Sequence, residues 1–238
     1  MKFRILSLKI LSVLLLFTSC SKEENDFISQ NCETDCTEII GKIMTDNGTV
    51  PIPDVELTVK WDNIPYLGSG TIRNKATTRT DSEGNFNLKF YIRDDEIEAG
   101  GFRIEYELNE NEYLSSHLNR ITIFQIARDT TLNINYNIPK KAFLNLSLLN
   151  LNDMQIGDDL ATDFSYASPS GFDQSVTGQV IGWSNESEQN NLIEVAGNVP
   201  VELRIRRKIN GVSTSEIETL FLEAGTTSDY TIDTDFNN

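Results

Sequence analysis

Few residues in this chain could do chemistry, and their spacing narrows that chemistry further. His117 is the only histidine among 238 residues, so a His-rich metal site is excluded and a Ser-His-Asp triad would have to use it. It lies in Tyr113-Leu114-Ser115-Ser116-His117-Leu118, without the glycines of a nucleophile elbow. His-Glu-x-x-His, Gly-x-x-x-x-Gly-Lys and Gly-x-Gly-x-x-Gly are all absent. The 36 acidic residues supply carboxylates in plenty, but no pair stands out as the acid and base of a glycoside hydrolase. Asp153, Asp158, Asp159 and Asp163 gather in one polar stretch and are the candidate oxygen ligands for calcium, although their spacing is not that of an EF-hand. Trp61 and Tyr66 fall in an irregular insert, and Trp183 ends a strand-like run. Rings in such places can stack on a sugar. Cys32 and Cys36 enclose three residues, one too many for a redox Cys-x-x-Cys, and no second pair exists for zinc. The expectation is a chain that is not an enzyme and needs no cofactor, calcium aside.

The N-terminus carries an address. Lys2, Arg4 and Lys9 precede the apolar run Ile10 to Phe17, and Thr18, Ser19 and Cys20 follow. That order is a secretory signal, and the run falls short of the roughly 20 apolar residues of a membrane span. Leu16-Phe17-Thr18-Ser19-Cys20 resembles the lipobox of bacterial lipoproteins, with Phe17 where Leu is usual. The resemblance implies removal of residues 1–19 and acylation of Cys20, so that acyl chains form the contact with the membrane. Ser21-Lys22-Glu23-Glu24-Asn25-Asp26 resembles the lysine-plus-acids export signal of Bacteroidetes-type lipoproteins. It implies an outer-membrane lipoprotein displayed at the cell surface, with the periplasmic leaflet as the alternative. Residues 20–36 then read as a flexible charged tether. The envelope is oxidising, which favours a Cys32–Cys36 disulfide stapling the neck of the tether; two unpaired thiols are the alternative.

Acidic residues outnumber the 20 basic ones to give a net charge of −16, which repels phosphate backbones and excludes nucleic acid as a partner. Between Thr37 and Ile138 short alternating runs follow one another: Glu38 to Thr45, Val55 to Val59, Phe86 to Ile92, Phe102 to Leu108, Ile121 to Ile126 and Leu132 to Ile138. Turn chemistry separates them at Asp46-Asn47-Gly48 and Asp81-Ser82-Glu83-Gly84. About seven strands at this spacing predict a β-sandwich. Ile40-Gly41-Lys42-Ile43, Val50 to Leu57 and Thr78 to Phe86 together resemble the carboxypeptidase-regulatory-like domain. That resemblance, over residues 37–138, implies a transthyretin-like sandwich without peptidase activity.

Ile138-Pro139-Lys140-Lys141 reads as a boundary, and residues 139–238 as a second sandwich. Ala142 to Leu151 reads as a strand buried on both faces, residues 152–175 as a long polar loop, and Asn210-Gly211 as a tight hairpin. The fold class is all-β, two sandwiches in tandem after a lipidated tether. The function expected of it is a surface interaction or adhesion module engaging an envelope or host protein; the alternative is a glycan-binding lipoprotein that stacks sugars on Trp61, Tyr66 and Trp183.

Overall fold

Alternating apolar and polar side chains build nearly every element of the computed structural model, which describes residues 21–65, 69–114, 119–123, 125–173 and 176–234. The N-terminal part contains nine strands: β1 (Lys22–Asn25), β2 (Cys36–Thr45), β3 (Val50–Pro51), β4 (Glu56–Asp62), β5 (Thr71–Arg79), β6 (Asn85–Tyr91), β7 (Gly101–Glu107), β8 (Arg120–Ile123) and β9 (Thr131–Asn137). One sheet runs β1-β5-β4-β7-β8. In the other, β2 pairs antiparallel with β6 and β3, and parallel with β9. Between the sheets lie Ile39 and Ile43, Leu57, Val59 and Trp61, Leu88 and Phe90, and Phe102 and Ile104, all in one apolar cluster. A short helix, α1 (Asp94–Glu98), links β6 to β7.

Seven strands follow: β10 (Lys141–Leu149), β11 (Asp159–Ala167), β12 (Val176–Trp183), β13 (Asn190–Ala196), β14 (Pro200–Ile209), β15 (Val212–Phe221) and β16 (Thr227–Asp233). They form a three-stranded sheet, β13-β10-β16, and a four-stranded one, β12-β11-β14-β15. Ala142, Leu144, Leu146 and Leu148 meet Leu160, Phe164, Leu203 and Ile205 in a second apolar cluster. At the β14–β15 hairpin Ile209 pairs with Val212, so only Asn210 and Gly211 turn the chain. Both have positive φ, 51° and 82°, as a two-residue hairpin that follows the strand twist requires. Hydrogen bonds join the two sandwiches. Asn198 donates to Asp46 (2.8 Å), and Asn135 and Asp173 exchange hydrogen bonds of 2.7 and 2.8 Å.

Four expectations are corrected. Residues 22–31 are not a flexible tether. β1 lies parallel to β5, with Lys22 opposite Thr71 and Asn25 opposite Asn74, and a 3-10 turn at Phe27–Asn31 continues it. The charges that suggested solvation find partners on the sheet instead, Glu23 with Lys60 and Glu24 with Arg73. The insert from Trp61 to Lys75 contributes the start of β5, and the supposed loop 152–175 contains β11, the centre of a sheet. β10 buries one face only, because each residue of its core face alternates with one that is half-buried or exposed.

Candidate functional site

Trp61 is no stacking platform. It is 1% exposed, its Nε1 donates to the Ala99 carbonyl (3.1 Å), and the Arg73 guanidinium sits 4.8 Å over its ring. Trp183 is also buried, donating to Thr162 Oγ1 at 3.0 Å inside the second core. Tyr66, Cys20, His117 and the signal segment lie outside the described residues. The glycan surface expected of Trp61 and Trp183 is therefore absent, because a strand end in a sandwich is where large rings close the core. The four aspartates do not form a cage. Asp158 accepts from the Gln155 and Asn210 amides, Asp153 lies in a 3-10 turn, and Asp163 faces outward on β11. Among the described residues no three His, Cys, Asp or Glu side chains gather to hold a metal ion. Cys32 and Cys36 form a disulfide, with Cα atoms 5.8 Å apart. No helix among the described residues is long and apolar enough to cross a membrane.

The structure instead assembles a buried charge cluster that the sequence pattern conceals. Along the β4–β5 ladder Val59 pairs with Ala76 but Lys60 with Asn74, which makes Lys75 the extra residue of a β-bulge. Bulges re-aim side chains, and this one sends Lys75 inward, where it is fully buried. Its Nζ lies 2.5 Å from Asp26 Oδ2 and 2.9 Å from each Glu96 oxygen. Asp26 follows β1 and is 3% exposed; Ser29 Oγ donates to its Oδ2 (2.7 Å) and Arg93 to its Oδ1. Glu96 is held by α1, accepts the Arg93 amide (2.8 Å) and is met by Arg73 (3.2 Å). Burial alone would push the Asp26 carboxyl up, but hydrogen bonds from Lys75, Ser29 and Arg93 outweigh it and hold the group below the usual Asp range. Arg73 is held charged by Asp95, Glu24 and Glu96 against its own desolvation. Separations of 49 and 21 residues join Lys75 to its two carboxylates, so no local pattern could have revealed them.

A second feature lies on the outer face of the four-stranded sheet. The strand register sets Val180, Asp163, Arg204 and Ile217 in one row across β12, β11, β14 and β15. Gly178, Ser165, Glu202 and Thr219 form the next row. All of these but Ile217 line a shallow hollow of about 600 Å³. Gly178 forms part of it because a Cβ there would come within 2.2 Å of the Phe164 carbonyl oxygen. Val180, Ile217 and Phe221 are 59%, 54% and 69% exposed, and β15 is an edge strand exposed along nearly its whole length.

No family model matches the chain, and no curated protein matches it. Solved structures do. The TIE protein of Bacillus anthracis is 13% identical over 83% of this chain, with a TM-score of 0.31. This chain spans about a third of that protein, 34% of its length. The shaft pilin SpaA of Lactobacillus rhamnosus GG is 8% identical, with 83% of this chain and 97% of the pilin covered and a TM-score of 0.30. A streptococcal ancillary pilin is 8% identical, with 85% and 63% covered and a TM-score of 0.30. The chain is thus an all-β protein of sandwiched sheets, as its own strand ladders establish, with distant likeness to these proteins.

Proposed function

We propose that the chain is a non-catalytic interaction module, held at the outer membrane by acyl chains on Cys20, that docks a protein of the envelope or of a host. The observation that carries this reading is the outward face of the β12-β11-β14-β15 sheet. There exposed Val180, Ile217 and Phe221 stand beside Asp163, Glu202 and Arg204. Apolar anchors set among charges of both signs suit a protein partner better than a lipid or a polyanion. The edge of β15 adds a row of main-chain groups that can pair with an extended segment. Trp61 and Trp183 lie inside the cores and present no ring face to a sugar.

Photo-crosslinking on intact cells tests the reading. A crosslinker at position 217 is compared with one at position 147, on the outer face of the opposite sheet. A light-dependent adduct at 217 that is absent at 147, and that disappears with Phe221→Asp, is the expected result. Equal adducts at both positions, or none at either, overturns it.

A further inference from the structure

We propose that Lys75 and Asp26 condense spontaneously to an amide, a covalent cross-link between the N-terminal segment and β5 that the chain forms on itself. This step is independent of any partner docked on the second sandwich. The three groups that the reaction needs are present and shut away from water. Lys75 and Glu96 side chains are 0% exposed and Asp26 is 3% exposed. Nζ of Lys75 is 2.5 Å from Asp26 Oδ2, which places it within about 3.7 Å of Cγ once a C–O bond of ~1.2 Å is added. That is close to a near-attack distance, and groups held so in one chain react as if at very high concentration.

The protons and electrons balance without any outside reagent. The Lys75 ammonium gives a proton to Glu96, whose two oxygens each lie 2.9 Å from Nζ. The freed amine lone pair attacks Asp26 Cγ, and the negative charge that develops on Oδ1 faces the Arg93 guanidinium. The C–Oδ2 bond breaks, and Oδ2 departs as water with two of the former ammonium protons, both passed through Glu96. Ser29 Oγ, 2.7 Å from Oδ2, donates to the leaving oxygen. One proton stays on the amide nitrogen, the ammonium and carboxylate charges cancel, and Glu96 ends as it began. The product closes a loop from Asp26 to Lys75. A pull on the N-terminal segment would then reach β5 through the bond, and residues 27–74 would carry none of it.

Mass spectrometry of the full-length chain, purified in detergent, reduced and digested with trypsin, decides the matter. The expected product is a branched peptide in which residues 23–42 are joined to residues 74–79, one water lighter than their sum and uncut after Lys75. Recovery of separate 23–42 and 76–79 peptides with no branched species overturns the proposal, and this arm needs no variant. Glu96→Gln preserves the size of the relay but cannot take the proton. In protein whose circular dichroism matches wild type it is expected to leave the two peptides unjoined. A branched peptide at the wild-type yield in that variant would overturn the role given to Glu96.

Discussion

Each sandwich packs a core cluster of nineteen buried apolar residues among those described, yet only the first also buries full charges. Asp26, Lys75 and Glu96 are inside the first; the polar residues buried in the second are Thr162 and Thr234. A buried ion pair gains little net stability over apolar packing, since the desolvation of its members offsets their attraction. What it gains is specificity, because leaving any member alone is costly. In the first sandwich that specificity falls on the docking of β1 and its turn, a four-residue strand that would be marginal by itself. The second sandwich holds its strands by apolar packing and ladders, and leaves the β15 edge open. One half ties down its own N-terminal segment, and the other leaves a sheet edge open to solvent.

The largest effect that could break this contrast is at Lys75. Lys75→Met strands two buried carboxylates and removes the cross-link partner, and is expected to cost about 3–5 kcal/mol. Hydrogen exchange read by segment should show the loss in residues 22–31 and 71–79, with 141–149 and 200–209 unchanged. Equal loss in both sandwiches would mean that the cluster supports the whole molecule and that the division of roles is wrong.

Acid is expected to act next, and again on one side. Glu105 is pushed up by its burial but held below the usual Glu value by Lys60 and Arg103, and Asp26 is likewise lowered. A lowered folded pKa contributes stability that is present above the unfolded value and lost as pH falls through the folded one. Exchange in β1, β5 and β7 should therefore accelerate below about pH 4, ahead of the second sandwich. The amide would remove Asp26 from this titration, so the linked protein should lose protection mainly around Glu105. An acid response confined to the second sandwich would reverse the comparison.

The same contrast explains what could be read from the sequence. Alternation in β4, β6 and β7 was plain because each has one buried face, and the Asn210-Gly211 hairpin was plain because its backbone demands those residues. β5 was hidden because its bulge makes Asn74, Lys75 and Ala76 consecutively buried, which destroys a period of two. β11 was hidden because its outer face carries Asp159, Asp163 and Ser165, which read as a loop until Lys208, Arg204 and Glu202 are found opposite them. β1 looked like a solvated leash because the cations that donate to its acids are 37 and 49 residues away. The tryptophans misled for a simpler reason. A ring near a strand end serves the core or a ligand equally well by pattern, and Ala99 and Thr162 decide for the core.

In the second sandwich the corresponding polar test is Trp183→Phe. The ring still fills its place, but Thr162 Oγ1 loses its donor inside the core. An expected cost of about 1–2 kcal/mol follows from one buried hydrogen bond, well below that at Lys75. Denaturant unfolding should shift its midpoint without a change in slope. A loss as large as that of Lys75→Met would show that the second core depends on polar contacts as heavily as the first.

The smallest effect is expected at Gly211→Ala. At φ 82° a Cβ is strained by about 1 kcal/mol, although nothing lies within 4 Å of it. The strain falls at the tip of a hairpin whose last pair is Ile209 with Val212, so the tip should fray while the pairs from Arg204–Ile217 onward persist. Exchange should rise at residues 209–213 alone, and crosslinking through position 217 should keep its wild-type yield. If that yield falls together with the tip, the partner grips the β15 edge along its length. If it holds, the anchors are Val180, Ile217 and Phe221 on the face, and the edge strand serves mainly to carry them.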